Sequence, residues 1–350
     1  MYLETSSQID KELGLFFYAT DTPGLDGRIK EGPEDFIVVE NSLIEADETG
    51  NHLVLVIWKK DLSTREVVDI IANKLNIGRK AIGVAGLKDK RAIAIQKISI
   101  PYKEIDPKDL EVEGRLKVLG LFRARRKVRV GYLKGNFFKI KVKGVKNLEA
   151  LNETVFQLED RGCPNYYGYQ RFGGKTRNHE LGRLILEGDY DQLASRIGLK
   201  RRISGIKDVL RLDLRLLRFF INSYQSYLFN LMVSERMRRG HPLNEPIEGD
   251  FIKGGKPAFP IIGYKSKLPK GEAGDIVKSV LEGEKVRPED FKLEVRKLRD
   301  KGSLRKVPMT YKSIMVDINK NEIVLSFWLE KGCYATVLLR EFCKWSEPPI

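Results

Sequence analysis

Cysteine and histidine are scarce: the chain has three of each in 350 residues. Cys163, Cys333 and Cys343 form no C-x-x-C pair and leave an odd thiol. A disulfide framework and a zinc site are therefore not expected, and a reducing compartment is. His52, His179 and His241 are scattered, which argues against a metal centre. No apolar run approaches the roughly 20 residues that a membrane span needs. Met1 to Lys11 is polar and acidic, so no signal peptide is expected and the expected location is cytoplasmic. Fixed-period repeats and low-complexity tracts are absent too.

Positive charge is abundant. Lys and Arg number 63 against 48 Asp and Glu, a net charge of +15 spread along the whole chain. A folded basic surface of this kind points to a polyanion, with nucleic acid ahead of a ribosomal or anionic-membrane role. Hydrophobic residues make up 42%, enough for real cores. The length suits two domains, or one with a large insertion.

The first half reads as mostly strands. Ile37–Val39, Asn51–Lys59, Ile93–Ile100, Arg115–Phe122, Lys127–Tyr132 and Phe137–Lys143 carry β-branched or alternating patterns. In the last of these, Phe138, Ile140 and Val142 face one way. Phe137, Lys139, Lys141 and Lys143 face the other, a basic face with an aromatic that suits RNA or DNA. Ser63-Thr64-Arg65-Glu66 is a capping box opening a helix with Val67, Ile70, Ile71 and Leu75 on one side. Asn147 is expected to cap a further helix that ends at Gly162. Short helices follow at 181–187 and 190–197, then a long one from Leu210 to Arg239 and two short ones before Arg305. Strands return at 312–318 and 322–329, and a last helix runs from about Cys333 to Trp345. The tetrapeptide Pro33-Glu34-Asp35-Phe36 recurs at Pro288–Phe291, where it is expected to enter a helix through Val295 and Leu298 rather than a strand. That echo reads as chance.

Two stretches carry chemistry. In Ala85-Gly86-Leu87-Lys88-Asp89-Lys90-Arg91-Ala92, one carboxylate sits among three cations at a strand entrance. Nearby positive charge favours the ionised carboxylate. A positioned, ionised Asp serves as nucleophile or base on an anionic substrate, while the plainer alternative is a solvated charged turn. Gly86 is expected to supply a backbone angle that other residues avoid. The second stretch, Asn165-Tyr166-Tyr167-Gly168-Tyr169-Gln170-Arg171-Phe172-Gly173, packs four aromatics, an amide pair and two glycines into nine residues. Aromatic faces beside Asn, Gln and Arg suit a flipped nucleobase, while a packed turn is the alternative. Gly173-Gly174-Lys175-Thr176 ends like a phosphate-binding loop, but Tyr169 occupies the place of its first glycine, and no strand leads into it.

With these segments in hand, the chain resembles the TruD family of tRNA pseudouridine synthases. The likeness rests on Gly27–Lys30 with Pro33–Phe36, Ala85–Lys90 with Gln96, Leu133–Phe137, and Pro164–Gly168 with Gln170–Gly173. Weaker echoes are Ser226–Asn230 and Ala335–Glu341. The resemblance implies an α+β fold: a pseudouridine-synthase core, with a mixed, mostly antiparallel sheet flanked by helices, and an inserted, mainly helical TRUD domain. On the sequence pattern, the core would take residues 1–190 and 306–350, and the insertion 191–305.

It also implies isomerisation of uridine to pseudouridine in tRNA, at position 13 of the D arm, with no cofactor and no metal. By position, Asp89 matches the family's essential aspartate. Lys30 and Phe36 match a basic and an aromatic residue of the same pocket. Asn165 and Tyr167 match the amide and the aromatic of the fourth stretch, where some members carry Phe. Lys88 and Arg91 are expected to point at phosphates. A non-catalytic basic RNA-binding protein is the competing reading. The expected partner is tRNA, with no membrane association and a monomeric state.

Overall fold

The computed structural model describes residues 2–199, 205, 208 and 212–349. In chain order the strands are β1 (Leu3–Glu4), β2 (Phe17–Tyr18), β3 (Phe36–Ser42), β4 (His52–Lys60), β5 (Gly83–Val84), β6 (Ile93–Pro101), β7 (Leu116–Ala124), β8 (Leu133–Lys143), β9 (Phe251–Lys253), β10 (Lys256–Ile261), β11 (Ser303–Lys306), β12 (Tyr311–Asn319) and β13 (Glu322–Glu330). The chain divides into two compact units. One is Met1–Leu25, Asn147–Met309 and Cys333–Ile350; the other is Asp26–Lys146 and Thr310–Gly332. The block 191–305 therefore shares a unit with both chain ends, a grouping unlike the division drawn from composition.

The unit of residues 26–146 and 310–332 is built on an eight-stranded sheet of order β12-β13-β8-β3-β6-β4-β7, with β5 paired to β6. Only β3 and β6 run parallel; the other pairs are antiparallel. Strand alternation decides what each face holds. On one face, Leu53, Leu55, Ile57, Ile98 and Ile100 pack with Val67, Ile71 and Leu75 of helix Thr64–Leu75. Phe138, Ile140 and Val142 of β8 share one face, and the latter two are fully buried. Phe137, on the other face, is 51% exposed. The capping box is present: the Glu66 amide donates to Ser63 Oγ at 3.2 Å, and the Ser63 amide to Glu66 Oε2 at 2.7 Å.

Residues 127–132, expected as a strand, form a loop. The Val128 amide donates to Ser99 Oγ (2.9 Å) and the Gly131 amide to the Ala85 carbonyl (2.7 Å). Gly131 has φ +82°, which an extended strand does not accommodate. The two Pro-Glu-Asp-Phe copies are also more alike than expected. Each opens a single 3-10 turn with proline at its start, and the aspartate caps it from inside: Gly32 N–H to Asp35 Oδ2 (2.9 Å) and Arg287 N–H to Asp290 Oδ2 (2.8 Å). After the second copy the chain makes another short turn, Arg296–Leu298, instead of a continuous helix.

The other unit is mostly helical, with helices Ala150–Arg161, Asn178–Glu187, Tyr190–Arg196, Leu214–Arg238, Gly271–Gly283 and Ala335–Cys343. The start expected for the long helix, Leu210, lies outside the described residues. Asn147 does not cap a helix; it has φ +57°, and its side chain donates to the Gly24 carbonyl at 3.1 Å. A three-stranded sheet, β11-β10-β9, sits inside the block expected to be mainly helical. Pro257 and Pro260 lie in its central strand, where proline removes a ladder donor, so the strand pattern was hidden in the sequence.

The core of this unit has a buried polar knot. Asp10 accepts from Arg340 Nε (2.6 Å), Tyr169 Oη (2.8 Å) and Thr5 Oγ1 (3.0 Å). Arg340 also donates to the Leu15 and Phe17 carbonyls, and Glu341 accepts from the Ala19 and Thr20 amides. These buried groups explain the polar letters of the Ala335–Glu341 stretch.

Candidate active site

Asp89 sits on the irregular segment between β5 and β6, which pair antiparallel through Gly83↔Ser99 and Val84↔Ile98. Four ties hold the segment. The Lys88 amide donates to Thr64 Oγ1 at the start of helix Thr64–Leu75 (2.9 Å), and Thr64 in turn donates to Gln96 (3.0 Å). Lys59 Nζ, wholly buried, donates to the carbonyls of Asp89 (2.7 Å) and Leu62 (2.5 Å). Burial pulls the Lys59 ammonium down from its ordinary 10.5 to about 8, against the charge of Asp89, which raises it. Lys90 pairs with Glu66 (2.7 Å), and Arg91 donates to the Glu31 carbonyl (3.0 Å).

The Asp89 side chain is 38% exposed, so its carboxylate is open to solvent on one side. Lys30 Nζ meets Asp89 Oδ2 at 2.7 Å and stands 4.3 Å from the centre of the Phe36 ring. Lys30 itself has φ +58°, a left-handed backbone that costs about 1–2 kcal/mol for a residue with a Cβ. Strain of this kind collects at functional positions. Phe36 is buried and meets Phe138 edge-on at 6.1 Å. Asp89, Lys30 and Phe36 are thus brought together as the sequence suggested.

Two expectations for this segment change. Gly86 has no positive φ, and a Cβ there would meet nothing within 4 Å, so the turn does not need its freedom. Lys88 does not present its charge to a phosphate. Its side chain is 7% exposed and lies 3.1 Å from Glu40 Oε2 and 2.7 Å from Asn136 Oδ1. It holds the turn to β3 and β8. Arg91 remains exposed. The basic face of β8 is also partly neutralised: Lys141 pairs with Glu322 (3.3 Å) and Lys143 with Asp35 (2.8 Å).

Asn165 and Tyr167 belong to the other unit. The segment is pinned against the end of β11: the Asn165 amide donates to the Val307 carbonyl (2.8 Å), and Asn165 Nδ2 to the Lys306 carbonyl (3.0 Å). Of its four aromatics, Tyr166, Tyr169 and Phe172 are core. Tyr166 Oη shares a hydrogen bond with Ser234 Oγ (2.8 Å), and its burial raises its pKa. Tyr167 alone is half-buried. Its ring meets Phe229 edge-on at 5.8 Å and Tyr334 at 5.9 Å. Its amide donates to Asn230 Oδ1 (2.8 Å), and its carbonyl accepts from Asn230 Nδ2 (3.2 Å). Ser226 accepts from Arg171 (3.0 Å). The weak echo at 226–230 is therefore the stretch of the long helix that holds the aromatic segment in place.

Arg305 was not singled out by sequence. It donates from Nε to the Asn165 carbonyl (3.0 Å) and from NH2 to Asn165 Oδ1 (2.7 Å), and its guanidinium lies 4.0 Å from the Tyr167 ring centre. It arrives on β11, whose pairing with β10 sets Arg305 opposite Phe259. Lys59 was missed too, because its tie to the Asp89 carbonyl spans 30 positions, and Asn230 was quoted only as part of an echo, without its role. Among the described residues, no group of three or more His, Cys, Asp or Glu could hold a metal ion, and no helix is long and apolar enough to cross a membrane.

Residues 12–201, 198–256 and 253–342 match the family described as tRNA pseudouridine synthase D (TruD). A probable tRNA pseudouridine synthase D of Pyrobaculum islandicum is 30% identical, over 97% of this chain and 97% of the relative. One of Pyrococcus abyssi is 32% identical, over 93% of this chain and 98% of the relative. The crystal structure of a putative tRNA pseudouridine synthase D from Methanosarcina mazei superposes with a TM-score of 0.75 at 29% identity, over 96% of this chain and 97% of that one. The α+β fold with its mixed, mostly antiparallel sheet is the pseudouridine-synthase fold of that neighbour. The chain belongs to the tRNA pseudouridine synthase D (TruD) family.

Proposed function

We propose that this protein isomerises uridine to pseudouridine in tRNA, at position 13 of the D arm, with Asp89 as its catalytic group. Membership of the family supports tRNA uridine isomerisation. The observation that carries the reading at the residue level is the 2.7 Å pairing of a half-exposed Asp89 carboxylate with Lys30. The ion pair fixes the carboxylate in place, and its exposed side leaves it able to meet a substrate.

The reaction breaks the N-glycosidic bond, turns the freed uracil, and rejoins it through carbon. Atoms and electrons balance within the nucleotide, so neither oxidant nor co-substrate is required. The base must leave its stack, which costs a few kcal/mol. Asp89 acts by attack on the sugar or the base, or by taking a sugar proton after the bond breaks. Lys30 holds the Asp89 carboxylate in position or offsets charge on the departing uracil. Phe36 fixes the Lys30 ammonium over its ring and closes the apolar side of the pocket. Arg91 meets phosphate. Within its own unit, the half-buried Tyr167 ring is the candidate for stacking a base, and Asn165, whose amide is held by Arg305 and the Lys306 carbonyl, is a positioning residue beside it.

The test is direct. Purified protein is incubated with an unmodified tRNA transcript in chelator and without ATP, and pseudouridine is mapped by carbodiimide adducts. Product at position 13, lost in a transcript with cytidine there, is the expected result. Tight binding with no product makes the chain a binder only. Product elsewhere overturns the target.

A further inference from the structure

A groove of about 870 Å³ in the sheet unit lies on the sheet face opposite the one that carries Phe36. Two cross-strand rows floor it. The first runs Val39, Phe137, Trp328, Lys312 across β3, β8, β13 and β12; the second runs Ile37, Lys139, Ser326, Met315. Phe137 is 51% and Met315 60% exposed, more than a lone sheet face needs to leave open. Lys312 Nζ stands 5.5 Å from the Trp328 ring. The lining holds Lys134, Lys139, Lys312 and Lys331 against one acid, Glu330.

At its rim, Lys331 donates to the Gly131 carbonyl (3.2 Å), which joins the groove to the loop 125–132. That loop borders a second cavity of about 590 Å³, whose lining includes Arg125, Arg126, Lys127, Arg129 and Tyr132 and no carboxylate. Arg125 is paired with Asp47, while Arg126 and Arg129 are exposed and have no carboxylate within 4.0 Å among the described residues.

We infer that this face is a second RNA-docking surface, taking a segment of the tRNA other than the one that holds the target uridine. The inference rests on the reading above that the substrate is tRNA. Charge selects the occupant. A second copy of this chain would bring four lysines against four across the groove, whereas a polyanion neutralises them. Aromatic rings beside lysines stack unpaired bases, and the arginine loop takes the phosphates that follow. The two features are joined, as the path of one strand requires.

Arg126→Glu/Arg129→Glu and Phe137→Ala are exposed changes, so the fold should survive; a melting temperature near that of the unaltered chain confirms it. Each protein is measured by filter binding to an unmodified tRNA transcript over a salt series, by sedimentation velocity, and for pseudouridine formation. The double variant should bind at least tenfold more weakly, with a log K against log salt slope shallower by about 1.5. Phe137→Ala should bind at least threefold more weakly, and the loss in kcat/KM should fall on KM. Affinity within twofold and an unchanged slope overturn the inference. So does a dimer that Phe137→Ala splits without changing RNA affinity, because a second copy then covers the face. Binding is read without product: weaker binding by the variants of a chain that makes no pseudouridine sinks the catalytic reading alone, and unchanged binding with normal product sinks this inference alone.

Discussion

Lys30 stands between two partners, 2.7 Å from the Asp89 carboxylate and 4.3 Å from the centre of the Phe36 ring. Its backbone is left-handed, at φ +58°, so the chain accepts local strain where this contact is made. Removing the cation while keeping the volume, Lys30→Met, should lower kcat roughly 100-fold, the scale of losing one positioned electrostatic stabiliser. Filter binding of tRNA should change by less than threefold. A variant with near-normal kcat would leave Lys30 a structural tie.

Arg305 joins two candidate site residues in one unit: it grips Asn165 with two nitrogens and stands 4.0 Å from the Tyr167 ring centre. Lysine has one point charge and no plane, so Arg305→Lys is not a mild change. Pseudouridine formation by Arg305→Lys should show a KM raised several-fold, with little recovery relative to Arg305→Ala. Full activity in the lysine variant would show that charge alone suffices.

Asn230 satisfies three backbone groups at once, the Tyr167 amide and carbonyl and the Leu13 carbonyl (3.0 Å). Asn230→Ala strands them, and buried unpaired groups cost about 1–3 kcal/mol each. Urea unfolding should show a stability loss of about 3 kcal/mol, partly relieved by water. An unchanged midpoint would mean that the segment is held elsewhere.

His179 is buried, stacked on Tyr227 at 4.8 Å, and its pKa falls from an ordinary 6.5 to about 4 through desolvation. Between those values the unfolded chain binds a proton that the folded chain does not. Stability is therefore lost as pH falls from about 6.5 toward 4. His179→Phe, which cannot titrate, should melt with a shallower pH dependence across that window. Identical slopes for the two proteins would contradict the assignment.

Local rules made much of this fold legible. Alternation in β8 sorted Phe138, Ile140 and Val142 from Phe137 and the lysines, and the Ser63–Glu66 box marked its helix. The strand entrance at Asp89 was visible because the apolar steps Ile82 and Val84 lead into Gly86 and a strand pattern starts at Ile93. What escaped was non-local. The tie of Lys88 to Glu40 spans 48 positions, and it turned an expected phosphate ligand into an internal brace. Arg305 lies 140 positions from Asn165. Prolines concealed β10, and the β-branched residues of 127–132 suggested a strand where Ser99 and Gly131 impose a loop. In the aromatic segment, three of four rings proved to be core, as a packed turn requires, and one stayed half-buried.

The central claim is that the carboxylate of Asp89 does chemistry. Asp89→Asn keeps the shape and removes the charge, so the most direct measurement is single-turnover pseudouridine formation by this variant on unmodified tRNA, beside its affinity for the same RNA. The account expects product to vanish while affinity stays within a few-fold of the unaltered chain. Turnover by the asparagine variant at a comparable rate would contradict it.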